Sequence, residues 1–245
     1  MHIAFLTPEY PHPKIQHSAG LGTSIKNLVA ALVRKDVKVT VFVYGQPKAV
    51  VFEENGIIFH FISNQNYRFA KWFFYRKYIQ KYVNSVVKKE NIDLIEAPDW
   101  TGITAFMRFN IPLVIRFHGS DTYFCHIEKR AQKFKNRLFE TLAVRNAKGF
   151  IAPTKYAGEV SAQLFGLQKE QVKTIHYGLD LTLFNNEHPE IFEKGLILYI
   201  GTIIRKKGVF ELPVIFNNVK AQFPEAKLVL IGGDASDVST GSNYT

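Results

Sequence analysis

The stretch from Leu196 to Gly208 reads LILYIGTIIRKKG and combines a strand pattern with a glycine and a group of cations. The apolar run ends at Gly201, and three cations stand just before Gly208, namely Arg205, Lys206 and Lys207. Apolar residues then recur at helical spacing. A buried strand followed by a glycine turn and a helix favours an anion, because helix-terminal N–H groups and the helix dipole attract negative charge. The stretch therefore predicts a phosphate site in an α/β fold.

The chain before this stretch alternates short apolar runs with helical patterns, which is typical of a parallel sheet. We expect strands at His2–Thr7, Val37–Tyr44, Ile92–Ala97, Leu113–Phe117, Phe150–Ala152 and Val172–Ile175. Val50–Phe52 and Ile57–Ile62 are expected to form either a hairpin or two edge strands. Long helices are predicted over Arg68–Lys89 and from about His126 to Ala147, and Thr154 is predicted to cap another helix. The fold class is thus α/β, a parallel sheet with helices on both faces.

The domain organisation follows from composition. We predict a first domain over residues 1–184, a polar linker over 185–195 and a second domain of the same type over 196–245. The second series stops after the strand Lys227–Ile231 and Gly232-Gly233, so we expect it to be a truncated domain.

Composition bounds the class of protein. Of the 245 residues, 47% are hydrophobic and 21% charged, as in soluble globular proteins. No apolar run is long enough to cross a bilayer, and the N-terminus lacks the features of a signal peptide. The single cysteine, Cys125, excludes an internal disulfide and fits a reducing compartment. We therefore expect a cytoplasmic location.

The net charge of +10 predicts a polyanionic partner, such as an anionic membrane or phosphate-bearing substrates. In the predicted helix Arg68–Lys89, aromatics alternate with cations. One hypothesis is an interfacial helix peripheral to the inner face of the plasma membrane, with Lys71, Trp72, Arg76, Lys77 and Lys81 at the lipid surface. The alternative is a surface helix whose lysine stems cover apolar area. Nucleic acid is not expected, since no nucleic-acid-binding signature accompanies the basic helices.

Two classes of site are not indicated by the motifs. The spacing Gly20-Leu21-Gly22 is not the dinucleotide fingerprint, and no acidic residue ends the second strand. Neither a pair of acid/base carboxylates nor a His/Cys/Asp cluster with metal spacing is evident. The sequence predicts neither a nicotinamide cofactor nor a metal.

Several segments in order resemble the retaining glycosyltransferases of the GT-B fold, often called family 4. The segments are PEYP…AGLG, HGSD, FIAPTKYAGE, TIHYGLDLTLF, YIGTIIRKKGVFEL and LVLIGGD, which together cover nearly the whole chain. The resemblance implies two facing Rossmann-like domains, the first taking the acceptor and the second a nucleotide-diphosphate sugar. It also implies transfer of the sugar with retention and no required cofactor, because cations and helix ends hold the diphosphate.

The resemblance assigns roles to individual residues. Gly20 and Gly22 match the small-residue loop beside the donor phosphate, although an ordinary turn is the alternative. His118 matches the histidine beside the transferred sugar and is the catalytic candidate. Asp121 either binds an acceptor hydroxyl or begins the following loop.

In the second domain, Lys207 matches the diphosphate-binding lysine. Thr202 stands where the family has an arginine, and Arg205 is the nearby candidate to replace it. The nucleotide-side loop is assigned to three glycines: Gly201, Gly232 and Gly233.

The function implied is a glycosyltransferase of the hexosyltransferase type that builds a cell-surface polysaccharide or glycolipid. Its acceptor would be a glycan or a lipid-linked hydroxyl. The family's Glu-x7-Glu segment is absent from the sequence, so we expect this chain alone to be an inactive fragment, and turnover of a nucleotide sugar by it would contradict that. Two alternatives stay open: a non-catalytic protein that binds glycans or anionic membranes, and a nucleotide-sugar epimerase on the same fold.

Overall fold

A computed structural model describes residues 1–15 and 18–235 of the chain. It divides into two compact units, Met1–Leu181 and Thr182–Thr245. The polar segment 185–195, predicted as a linker, lies at the start of the second unit and contains neither helix nor strand.

The first unit is built on an eight-stranded sheet in the order β3-β4-β2-β1-β5-β6-β7-β8. Its strands are β1 His2–Thr7, β2 Lys38–Gln46, β3 Val50–Glu54, β4 Ile57–Ser63, β5 Leu94–Pro98, β6 Leu113–Arg116, β7 Gly149–Ala152 and β8 Val172–Thr174. All neighbouring strands are parallel except β3, which forms the predicted antiparallel hairpin with β4. From β1 the chain moves outward to β2 and the β3–β4 hairpin, and from β5 it moves outward in the other direction to β8, so the strand order reverses between β1 and β5. Open α/β sheets bind ligands at the carboxyl edge of this position.

Helices cover both faces of this sheet, so the predicted α/β fold is confirmed. They are α1 Gly20–Val33, α2 Lys71–Glu90, α3 Asp121–Ile127, α4 Phe134–Arg145 and α5 Lys155–Phe165. Ile25 and Val29 of α1 pack on one face, among residues such as Phe5 of β1. Ile79 and Val83 of α2 pack on the other face. Successive residues of a strand point to opposite faces, which explains why the strands read as continuous apolar runs.

One helix prediction was wrong. The stretch from His126 to Ala147 is divided between α3 and α4, with a break in which Lys129 has a φ of 51°. Arg130 in this break pairs with Asp121 of α3 at 2.9 Å and with Glu128 at 2.7 Å. The helical spacing of the cations therefore continues across a turn that side-chain ion pairs stabilise.

The second unit contains β9 Leu196–Ile200, α6 Glu211–Gln222 and β10 Lys227–Ile231. The strands are parallel neighbours, as the opening stretch predicts. Many of their apolar side chains are exposed, including Ile200 at 73% and Val214 of α6 at 65%. Nowhere in the described residues is a helix both long and apolar enough to cross a membrane.

Candidate functional site

The carboxyl edge of the first sheet holds a cavity of about 190 Å³. Arg116 and His118 line it from the end of β6, and Asn27 lines it from α1. The segment after β8 closes another side through Tyr177 and Gly178, and the Asn27 amide donates to the Gly178 carbonyl at 3.3 Å. The cavity thus lies where parallel α/β sheets bind their ligands.

The backbone of His118 is held by a buried carboxylate. The N–H groups of His118 and Gly119 donate to Asp99 at 2.9 and 3.3 Å. Asp99 follows β5 and is 1% exposed, and burial raises its pKa to about 7 although the two N–H donors oppose this. Gly119 has a φ of 115°, and a Cβ there would lie 2.6 Å from the Phe124 ring, so this position requires glycine. These contacts fix the start of the loop that presents His118.

The His118 ring is held by Tyr177, which the sequence analysis missed. The two rings are stacked with an interplanar angle of 12°, and the Tyr177 hydroxyl lies 2.7 Å from Nδ1 of His118. Burial, with a smaller effect of Arg116, lowers the pKa of His118 to about 3, and burial raises the pKa of Tyr177 to about 12. At neutral pH a protonated phenol therefore faces a neutral imidazole. When the phenol donates to Nδ1, Nε2 carries the imidazole proton and is the nitrogen left to donate to a ligand.

A buried ion pair lies beside His118. Nε of Arg116 donates to Glu96 at 2.6 Å and its Nη2 donates to the second carboxylate oxygen at 3.0 Å. Glu96 and Arg116 lie on the neighbouring strands β5 and β6 and are 8% and 5% exposed. Each of these two strands reads as an apolar run with one charged residue in it, and the two charges are opposite. That pattern in the sequence could have predicted the ion pair.

Gly20 and Gly22 were predicted to lie in a loop. The structure places them in the first turn of α1 instead. The N–H of Gly22 already donates to the carboxylate of Glu9 at 2.7 Å. A Cβ on Gly22 would lie 2.6 Å from Oγ of Ser18, whereas one on Gly20 meets nothing within 4 Å. Packing explains the glycine at 22, and the contact with a donor phosphate stays a prediction.

Asp121 does not line the cavity, because its carboxylate is used between α3 and α4. One oxygen pairs with Arg130 at 2.9 Å and the other accepts from Asn136 at 3.0 Å. Asp121 is the first residue of α3, so the interpretation that it begins the following segment describes its place in the structure.

The predicted membrane-surface residues on α2 do not form one surface. Arg76 is only 7% exposed, so its assignment to a lipid surface was wrong. Its guanidinium donates to carbonyls of Trp72, Thr101 and Gly102, which compensate for its burial. The Lys77 ammonium donates to the Phe106 carbonyl.

The other three predicted lipid-facing residues lie at the surface. Trp72 is 38% exposed, and Lys71 and Lys81 are exposed. Lys81 lies about 15 Å further along α2 than Lys71, given the rise of an α-helix.

In the second unit, several predicted donor residues meet at the carboxyl end of β9 and β10. A Cβ on Gly232 would lie closer than 3.0 Å to the Gly201 carbonyl, so the two backbones touch here. The Nζ of Lys207 lies 2.9 Å from where a Gly201 Cβ would be. The Gly233 carbonyl accepts from Ile203 at 2.9 Å.

Arg205 is less directly placed for an anion. Its guanidinium lies 4.5 Å from the centre of the Phe210 ring, over its face. Lys207 is thus a predicted donor-binding cation that lies close to Gly201. Within residues 1–15 and 18–235, no group of three or more His, Cys, Asp or Glu is arranged to hold a metal ion.

The low pKa of His118 predicts a specific pH dependence of stability. The folded pKa of about 3 lies below the usual 6.5, so between these values only the unfolded chain binds the proton. The stabilisation is present above pH 6.5 and is lost as pH falls. We expect acidification from pH 7.5 to 5.5 to lower the free energy of unfolding of the wild-type protein by about 1 kcal/mol more than that of His118→Gln. Urea unfolding at the two pH values would measure this difference. Comparing the two proteins cancels the opposite effect of Asp99, and equal pH profiles would contradict the prediction.

Comparison with known proteins agrees with this architecture. Residues 18–183 match the model of Glycosyltransferase Family 4. Sucrose-phosphate synthase from Thermosynechococcus elongatus superposes with a TM-score of 0.69 at 17% identity, covering 97% of this chain and 63% of that one. The catalytic domain of starch synthase IV from Arabidopsis thaliana, bound to ADP and acarbose, gives a TM-score of 0.62 at 13% identity, covering 97% and 69%.

A third solved structure is Anabaena Alr3699/HepE in complex with UDP and glucose, with a TM-score of 0.52 at 15% identity, covering 96% of this chain and 70% of that one. Such low identities show the fold alone, that of the GT-B glycosyltransferases. The chain spans about two thirds of the length of these structures. No curated protein sequence matches the chain. Since the family model matches more than half of its residues, the chain belongs to Glycosyltransferase Family 4.

Proposed function

We propose that the protein transfers a sugar from a nucleotide diphosphate to an acceptor hydroxyl, with retention at the anomeric carbon. The observation that carries the proposal is the position of Lys207 against Gly201, at the end of β9 where the β9 and β10 backbones touch. Glycines leave the backbone open to a diphosphate, and the ammonium supplies a compensating charge. The ADP and UDP in two solved structures of the same fold support this class of donor.

In the first unit, the proposed role of His118 is to hold the transferred sugar rather than to move a proton. Its imidazole is neutral at physiological pH because the pKa lies at about 3, so it suits a hydrogen bond to a sugar hydroxyl. The bond from the anomeric carbon to the diphosphate breaks as the bond to the acceptor oxygen forms. The leaving phosphate takes the acceptor's proton on the same face of the sugar. This scheme needs no pair of acid/base carboxylates.

The donor site is tested by removing the lysine. We expect Lys207→Ala to weaken binding of UDP and of ADP about tenfold or more, since a charge-assisted hydrogen bond to phosphate is lost. Isothermal titration calorimetry would measure this, with Lys194→Ala as the control because Lys194 is an exposed lysine of the segment before β9. If neither nucleotide binds wild type, or if both variants bind like wild type, the donor assignment is wrong.

The finer features of the activity are also part of the proposal. We place the enzyme at the cytoplasmic face of the membrane, transferring a hexose to a glycan or lipid-linked acceptor in the synthesis of a cell-surface polysaccharide or glycolipid.

The strands and the helix of the second unit leave apolar residues exposed, so a complete donor domain would need further packing. We therefore expect no sugar transfer by the 245-residue chain alone.

A further inference from the structure

Two segments of the first unit carry most of the excess positive charge. Residues 64–77 lead into and begin α2, and residues 129–139 lead into and begin α4. Together they contain nine Lys or Arg and no Asp or Glu, in a chain whose net charge is +10. Six of these cations are exposed: Arg68, Lys71, Lys129, Lys133, Lys135 and Arg137. We call the surface formed by these two segments the basic tip.

The two segments form one surface, because their side chains interlock. The Trp72 ring of α2 lies 4.9 Å from the Phe139 ring of α4, measured between centroids. Arg76 stacks on the same Phe139 ring at 4.5 Å, and the Lys135 ammonium lies 5.7 Å from the centre of the Trp72 ring. The buried Arg76 and Phe139 thus join the two segments, and the Lys135 ammonium lies beside their junction.

Large apolar side chains project from the same surface. Phe69, which precedes α2, is 80% exposed, and Phe134, the first residue of α4, is 79% exposed. Phe74, Trp72 and Leu138 are 47%, 38% and 38% exposed. Exposed aromatics among lysines match a surface whose apolar groups enter the headgroup layer while its cations meet lipid phosphates.

We propose that the basic tip binds an anionic membrane, with Phe69 and Phe134 inserted at the level of the headgroups. This surface differs from the one expected from sequence, because it uses the starts of two helices, Arg76 is buried within it and does not face the lipid, and Lys81 lies outside it. A lipid surface is favoured over nucleic acid because Leu138 and the two phenylalanines offer apolar bulk for insertion. The binding does not depend on the proposed sugar donor, so a failure of one proposal leaves the other intact.

The test is flotation of the 245-residue chain with vesicles of phosphatidylcholine, with and without about 30% phosphatidylglycerol. We expect binding only to the anionic vesicles. Lys71→Glu with Lys133→Glu should weaken it at least about tenfold, since each surface lysine contributes to attraction by anionic lipid. The matched control is Lys81→Glu with Lys89→Glu, which makes the same charge change on exposed lysines of α2 outside the tip. The control should change binding less than about threefold.

Insertion is tested separately from charge attraction. Phe69→Ser with Phe134→Ser should weaken binding about tenfold, since two exposed apolar side chains lose their lipid contact. Both side chains are about four-fifths exposed, so an unchanged melting temperature is expected and confirms folding. In a Trp100→Phe background, where Trp72 is the remaining tryptophan, its emission should shift to shorter wavelength on anionic vesicles.

Three results would overturn the proposal. These are absence of binding to anionic vesicles, equal losses in the tip and control variants, and unchanged binding after the phenylalanine substitutions. Tighter binding of a single-stranded RNA oligomer, lost in the same tip variants, would assign the surface to nucleic acid instead.

Discussion

Arg116→Met should lower the free energy of unfolding of the first unit by about 3–5 kcal/mol, because it leaves the Glu96 carboxylate buried without its partner. The pair is bidentate, at 2.6 and 3.0 Å, and both residues are less than 9% exposed. Urea unfolding followed by tryptophan fluorescence measures this unit, since both tryptophans, Trp72 and Trp100, lie within it.

Two further variants separate the buried charge from other effects. The double variant Glu96→Leu with Arg116→Met should be more stable than Arg116→Met, because it removes the unpaired carboxylate. Arg130→Met is the matched control. Since Arg130 is 35% exposed, this substitution should lower the free energy of unfolding by only about 1 kcal/mol. A double variant no more stable than the single one would show that Glu96 does not need its partner.

Removal of Arg116 should also raise the pKa of His118, since the positive charge of Arg116 helps to lower that pKa.

Gly102→Ala should destabilise the first unit by about 3 kcal/mol or more, since the new methyl group has no space. Gly102 has a φ of 54°, and a Cβ there would lie closer than 3.0 Å to the backbone of Phe139 in α4. Its carbonyl also accepts from the buried Arg76, so α2 and α4 both contact this residue. Urea unfolding would measure the loss of stability.

The control for Gly102 is Gly166→Ala, which separates steric overlap from backbone strain. Gly166 has a φ of 68°, and a Cβ there would meet nothing within 4 Å. Only the left-handed backbone conformation disfavours alanine at this position. Gly166→Ala should therefore lower the free energy of unfolding by about 1 kcal/mol. Equal losses in the two variants would show that the overlap with Phe139 is relieved by a small movement of the backbone.

The strands and most helices could be predicted from sequence because they depend on residues close together in the chain. Short apolar runs became the parallel strands, and Thr154 caps α5 by accepting from the N–H of Ala157 at 3.1 Å. The break between α3 and α4 was missed because contacts between the two helices stabilise it. Glu140 of α4 accepts from the N–H groups of Asp121 and Thr122 at the start of α3, both at 2.9 Å. Helical spacing carries no information about such contacts.

The sequence by itself determined the α/β class, the order of the elements and the position of His118 after a parallel strand. Only the tertiary structure decided which polar groups meet there. Tyr177 is 59 residues from His118, and Asp99 is 19 residues away. Arg76 reaches carbonyls 25 and 26 residues on, which places it inside the protein although it lies on a basic helix. Periodicity acts over a few residues, whereas these partners are set by strand order and by the need to satisfy buried polar groups.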